Sequence, residues 1–112
     1  MKQRPNSLKL MKKVKTMEML DDVIHQPTRL RILMLLSGLE EADFTFLVNT
    51  FKLSKGNLSV HTSKLEQVGY ITIEKSFLNK MPHTVYRITD LGQVRLAEYW
   101  ESIDRIRTGS SQ

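Results

Sequence analysis

The spacing of apolar residues changes period at Gly69. Before it they recur every three to four positions; after it they alternate with polar ones. Helices repeat every 3.6 residues and strands every 2, so the chain reads as a run of helices followed by a strand pair. Leu20, Val23 and Ile24 predict a helix over 18–25. Pro27 stops it and opens the next, because proline is tolerated at a first helical position. Segment 27–37 carries Leu30, Ile32, Leu33, Met34, Leu35 and Leu36. Being apolar nearly all round, it is expected to be the central buried helix, capped by Gly38. Asp43 is placed to cap a short helix over 44–51, with Phe44, Leu47, Val48 and Phe51 inward. Leu53 marks a tight turn, and Ser54 caps a helix over 55–68 that Gly69 ends. Its inward residues are Leu58, Thr62 or His61, Leu65 and Val68.

The β-branched, alternating run 70–77 predicts a strand, 78–82 a turn and 83–88 the partner strand. Thr89 then caps a long last helix over 90–107. Two helices joined by a short turn and followed by a hairpin have the layout of a winged helix-turn-helix. The expected fold class is therefore mainly α with a small β-hairpin wing (α+β). At 112 residues there is room for one domain. It is expected over 18–108, after a basic N-terminal arm, 1–17, that is mobile or partly helical. Residues 108–112 read as a frayed end.

The charge is polarised along the chain. Seventeen Lys+Arg against 12 Asp+Glu give +5. Six of those positives (Lys2, Arg4, Lys9, Lys12, Lys13 and Lys15) fall in 1–17, which has no acid. Segment 18–51 is −4, 52–87 is +4 and 88–112 is −1. The useful signal is the second basic block, since it covers the last helix before Gly69 and the hairpin. There is no cysteine, which excludes disulfides, thiolate metal sites and a cysteine nucleophile and fits a reducing cytoplasm. No run approaches the ~20 apolar residues of a membrane span. The basic start lacks a following apolar h-region, so neither secretion nor a membrane partner is expected. His25, His61 and His83 fall on different elements without ligand spacing, so no metal is expected. With no Gly-rich phosphate loop, Gly-x-Ser-x-Gly or paired acids in a cleft, neither an enzyme nor a cofactor is expected.

A DNA-reading helix needs an N-terminal turn of small or hydrogen-bonding residues and an apolar face behind it. Ser54, Lys55, Asn57, Ser59, Val60, Ser63 and Lys64 form such an outer face over Leu58, Leu65 and Val68. Backbone N–H groups at the helix start, with Lys55, suit phosphate; Asn57 suits adenine, Ser59 several bases, and Val60 a thymine methyl. The same composition also describes an ordinary solvated surface helix. Gly56 reads either as close approach to a phosphate or as crowding against the preceding helix. On the hairpin, Lys75, Lys80, His83 and Arg87 are candidate DNA contacts, with Lys80 and His83 nearest the tip. His61 reads as a packed histidine bonded to backbone. Arg29 and Arg31 are expected to pair with Asp21–Asp22 or Glu40–Glu41, a phosphate contact being the lesser alternative.

Several stretches resemble the ArsR- and MarR-like winged-helix regulators: 25–33 (HQPTRLRIL), 53–61 (LSKGNLSVH) with 64–66 (KLE), 69–71 (GYI), and 86–92 (YRITDLG). The last resembles the tyrosine-x-leucine-threonine-x-x-glycine close of the wing. The resemblance covers about residues 20–95 and implies a prokaryotic transcriptional regulator that binds a pseudo-palindromic operator as a homodimer. It places Ser59 and Val60 at base-facing positions, Lys64 at phosphate and Lys80 at the wing tip. Position 60 is often lysine or arginine in relatives and is valine here. The cysteine metal-sensing box of ArsR sensors is absent, and any small-molecule effector is unidentified.

The last helix carries Leu96, Tyr99, Trp100, Ile103 and Ile106, a stripe wider than so small a domain need bury. These are the candidate dimer residues. Met11, Val14, Met17 and Leu20 are placed to pack against them from either protomer. The rival reading is that the stripe closes the monomer core. Two other functions stay open: a winged-helix module that binds protein, and an accessory protein that binds RNA or other nucleic acid without sequence preference.

Overall fold

The computed structural model describes residues 7–109 of the chain. Its elements in order are α1 (Ser7–Glu18), α2 (Pro27–Ser37), β1 (Ala42–Asp43), α3 (Phe44–Phe51), α4 (Lys55–Gln67), β2 (Ile71–Leu78), β3 (Met81–Ile88) and α5 (Asp90–Thr108). The mainly α fold with a hairpin wing is as expected. Lys2 and Arg4 of the basic arm lie outside the described residues, as do Ser110–Gln112 of the expected frayed end. Thr108 is still helical, and Gly109, at φ 74°, closes the helix.

No helix forms over 18–25; α1 stops at Glu18 and a turn follows. The Asp21 carboxylate causes this locally, accepting from Val23 N at 2.9 Å and Ile24 N at 3.2 Å. A short acidic side chain that satisfies its own neighbours' N–H groups favours a turn over a helix. Ile24 is still fully buried, so the apolar spacing reported burial correctly but not conformation.

Helix α2 is central, as expected. Ile32, Leu33 and Leu36 are fully buried and pack with Leu47 of α3, Leu58 and Leu65 of α4, Ile71 of β2, Tyr86 of β3 and Leu96 and Tyr99 of α5. Gln26 caps it, accepting from Arg29 N at 2.8 Å. Asp43 caps α3 and Ser54 caps α4, accepting from Phe46 N at 2.8 Å and Asn57 N at 3.1 Å. Between them Lys52 takes the left-handed conformation (φ 54°), which turns the chain from one helix into the next. Thr62, not His61, is the fully inward residue of α4; its hydroxyl donates to Leu58 O at 2.8 Å. Val68 lies beyond the last turn and is exposed, so it drops out of the apolar anchor.

The sheet has three strands in the order β1-β3-β2, all antiparallel. Strand β1 has two residues, pairing Ala42 with Tyr86 and Asp43 with Val85, too short for any alternation to show in the sequence. The wing is longer than expected. β2 and β3 pair from Ile71–Ile88 out to Leu78–Met81, so the turn is only Asn79-Lys80. Both residues have positive φ (52° and 67°), the two-residue turn whose twist suits a hairpin. Lysine fills the second place, where glycine is usual.

Helix α5 begins where the wing closes. Thr89 Oγ accepts from Gly92 N at 3.0 Å and donates to Gly69 O at 2.6 Å, while Thr89 N donates to Tyr70 O at 3.0 Å. A Cβ on Gly92 would lie 2.2 Å from the Tyr70 carbonyl oxygen. Only glycine lets α5 approach β2 this closely.

Candidate nucleic-acid interface

The outer face of α4 is open. Ser54, Lys55, Gly56, Asn57, Ser59, Val60, Ser63 and Lys64 are all exposed, and Val60 shows 58% of its surface. Ser59, Val60, Ser63, Lys64 and Gln67 line one shallow depression along it. The opposite face is anchored by Leu58, Thr62 and Leu65. A Cβ on Gly56 would meet nothing within 4 Å, so crowding against α3 is not why glycine stands there. The first turn of α4 is simply unobstructed.

Strand alternation sorts the hairpin candidates. Residues paired across an antiparallel ladder share a face. Ile71 and Ile73, with partners Ile88 and Tyr86, look into the helical core. Lys75 and Phe77, with partners Thr84 and Pro82, continue that face past the end of the core, on the side where α4 packs. Lys80 sits at the tip and is exposed. His83 pairs with Ser76 on the other face and is half-buried, near Asp43, Phe44 and Thr45 at the start of α3. It therefore does not share a face with Lys75.

Arg87 has another task. Its guanidinium donates to Glu41 at 2.8 Å and to Glu74 at 3.1 Å, tying the α2–β1 link to the hairpin. Both acids are spent on one cation, and Arg87 falls from the DNA-facing set. Arg29 is corrected too. It donates through Nε to Val23 O at 2.6 Å and through Nη2 to Asp22 O at 3.3 Å, so it meets carbonyls of the turn, not carboxylates. Its Nη1 lies 3.3 Å from Nδ1 of His61 on α4. Since guanidinium only donates, His61 Nδ1 accepts, which requires the neutral ring. Burial first, and the nearby Arg29 charge second, hold His61 below its usual value of 6.5.

The α5 stripe divides. Leu96 and Tyr99 are each 5% exposed within the single chain, where they belong to the core. Tyr99 also hydrogen-bonds His25 Nδ1 at 2.7 Å. Trp100, edge-on to Tyr99, is 40% exposed, and Ile103 and Ile106 are half-buried. Leu96 and Tyr99 are therefore withdrawn as partner-facing residues. The larger uncovered surface is on α1, where Leu8, Leu10, Met11, Val14 and Met17 are all exposed.

Sequence patterning missed two further features. Lys52, in the turn between α3 and α4, presents an exposed cation beside the α4 N-terminus. Phe77, Leu78 and Met81 at the wing tip are among the chain's most exposed large apolar residues. Three such residues around a two-residue turn were the available signal.

An α4 with an open polar face, a three-residue turn before it and a basic hairpin beside it define the site. The family description "winged helix DNA-binding domain" matches residues 28–106. The chain belongs to that family. A winged helix DNA-binding domain is a binding module, not an enzyme. An uncharacterised protein of Methanocaldococcus jannaschii is 35% identical over 77 residues, which are 69% of this chain and 84% of that one. A transcriptional regulator homologue from Pyrococcus horikoshii OT3 superposes with a TM-score of 0.75 at 26% identity, covering 94% of this chain and 99% of its own. The structure of MarR superposes with a TM-score of 0.67 at 18% identity, covering 90% and 74%, a likeness of fold. Among the described residues no group of three His, Asp or Glu is placed to hold a metal ion, and no helix is long and apolar enough to cross a membrane.

Proposed function

We propose that this winged helix domain is a transcriptional regulator that reads a pseudo-palindromic DNA operator as a homodimer. The carrying observation is the α4 face, exposed from Ser54 to Lys64 while its reverse is locked into the core by Leu58, Thr62 and Leu65. Set in the major groove, that helix offers Asn57, Ser59 and Val60 to base edges. Lys55, Lys64 and Lys75 meet phosphate, as does Ser54 at the helix start, and Ser63 lies between the two sets. Lys80 extends the cationic line onto the wing.

Dimerisation is supported by the exposed apolar residues of α1 and by the exposed Trp100 of α5, the helix against which α1 packs. Two copies joined there would present their α4 helices to half-sites about 34–36 Å apart. A small-molecule effector would act by changing that separation. A role on DNA fits a cytoplasmic protein of a prokaryotic cell.

Selection of bound duplexes from a random pool tests the reading. A two-fold related pair of half-sites is the expected product. On the selected duplex, replacing Asn57 and Ser59 by alanine should erode discrimination between sites. Replacing Lys64 should weaken all sites alike and make the dependence of log K on log salt shallower by about one contact. Equal affinity of the wild type for every duplex would refute operator reading and leave non-specific binding.

A further inference from the structure

The wing tip has a chemistry that cation-to-phosphate contact does not account for. Phe77 is 77% exposed, Met81 67% and Leu78 57%, and Pro82 is exposed as well. The ladder stacks them in two rungs, Phe77 opposite Pro82 and Leu78 opposite Met81, immediately below the Asn79-Lys80 turn. From Ile73, the last strand residue packed on the core, to Leu78 the strand advances about 17 Å, at ~3.3 Å per residue. Phe77, Leu78 and Met81 are thus carried past the core, while Pro82 borders the same depression as Asp43, Phe44 and Thr45 at the start of α3. Between 75 and 84 there are two lysines and one histidine and no acid. Such a tip is both greasy and cationic.

The geometry points to an apolar wedge: Phe77, Leu78 and Met81 enter the minor groove beside the α4 site and part a base step there, with Lys75 and Lys80 on the flanking phosphates. This rests on the DNA-binding reading above and deepens it by making the wing a device that deforms DNA. Three observations favour DNA as the occupant. Phe77 and Lys75 continue the hairpin face on the α4 side, so whatever α4 binds lies within the tip's reach. The charge around the apolar rungs has the sign that phosphate requires. Phe, Leu and Met are also among the residue types that unstack base steps from the minor groove.

Size sets what insertion requires. The minor groove of B-DNA is about 6 Å wide, and two strands spaced ~4.8 Å apart with side chains do not fit an undistorted one. Insertion therefore needs the groove opened, which unstacking accomplishes. Lys80 is consistent with this role, holding a left-handed backbone position that glycine would occupy with less strain.

The test uses the full chain on a bound duplex carrying 2-aminopurine at steps flanking the half-sites and a dye pair at its ends. Wild type is expected to raise 2-aminopurine fluorescence at one flanking step and to bend the duplex within the range of about 20–90° that such wedges produce. The variant with Phe77→Ala, Leu78→Ala and Met81→Ala should still bind through α4 and the lysines, yet leave the probe quenched and the duplex straight. Phe77→Ala alone serves as a second variant, and circular dichroism melting verifies that each is folded. Equal bending by folded variants would overturn the wedge. So would unchanged bending combined with a loss of self-association in sedimentation, or of binding to phosphatidylglycerol vesicles; those outcomes would assign the tip to a second copy or to lipid. Wild-type binding without distortion would overturn the wedge alone, whereas no binding to any duplex would overturn the DNA reading itself.

Discussion

His61 shows how one side chain joins parts of the fold that are distant in sequence. It stands on α4 and accepts from Arg29, which also holds the 22–23 carbonyls. Its folded form resists the proton, through burial and then through Arg29, while the unfolded chain takes it up near pH 6.5. Acid therefore favours the unfolded state: the contribution is present above pH 6.5 and disappears as pH falls. Melting temperature should fall between pH 7 and pH 5, and the fall should be shallower in His61→Gln, whose amide oxygen can still accept from Arg29. Parallel profiles for the two proteins would show that His61 contributes nothing to the acid response. Tyr70 is the alkaline counterpart, pushed up to about 12 by burial and by its hydrogen bond to Asp21.

Among the elements, the junction of β2 with α5 has least tolerance. Alanine at position 92 would add about 1 kcal/mol of helix propensity. Its Cβ would meanwhile meet a backbone oxygen at 2.2 Å, which no side-chain rotation relieves. Overpacking costs about 1–3 kcal/mol and the upper end is expected here, so Gly92→Ala should destabilise by roughly 2 kcal/mol net. Chemical denaturation checks this, and a neutral or stabilising result would mean that α5 slides without cost. The close of the wing at 86–92 was legible through its family resemblance, and the caps Asp43, Ser54 and Thr89 through the residues themselves, but the contact at Gly92 was not. Long periodic elements were legible too, because burial of one face leaves a repeating mark. The helix expected over 18–25 failed because Asp21 rewards a turn that the apolar spacing cannot register. Strand β1 was too short to carry a pattern, and the roles of Arg29 and Arg87 depend on partners fixed only by tertiary packing. At the interface, the exposed α4 face was readable, but the loss of Arg87, Leu96 and Tyr99 from their expected sites was not.

The whole molecule is drawn out, 70 Å in its longest extent, with a radius of gyration of 17.9 Å. A compact chain of this length would have ~13 Å. An elongated chain with apolar residues left open along α1 supports the proposed dimer. Sedimentation should find a dimer, and Trp100→Asp should shift it towards monomer with little change in the circular dichroism of the fold. An unchanged dimer would place the partner contact elsewhere. The Arg29 clamp has a consequence for how the molecule breathes. If the 22–25 turn opens, the guanidinium loses two carbonyl acceptors and its hold on α4 together. Amides of the turn and of the helix offered to DNA should then exchange with solvent as one cooperative unit, so that a ligand closing either would protect both.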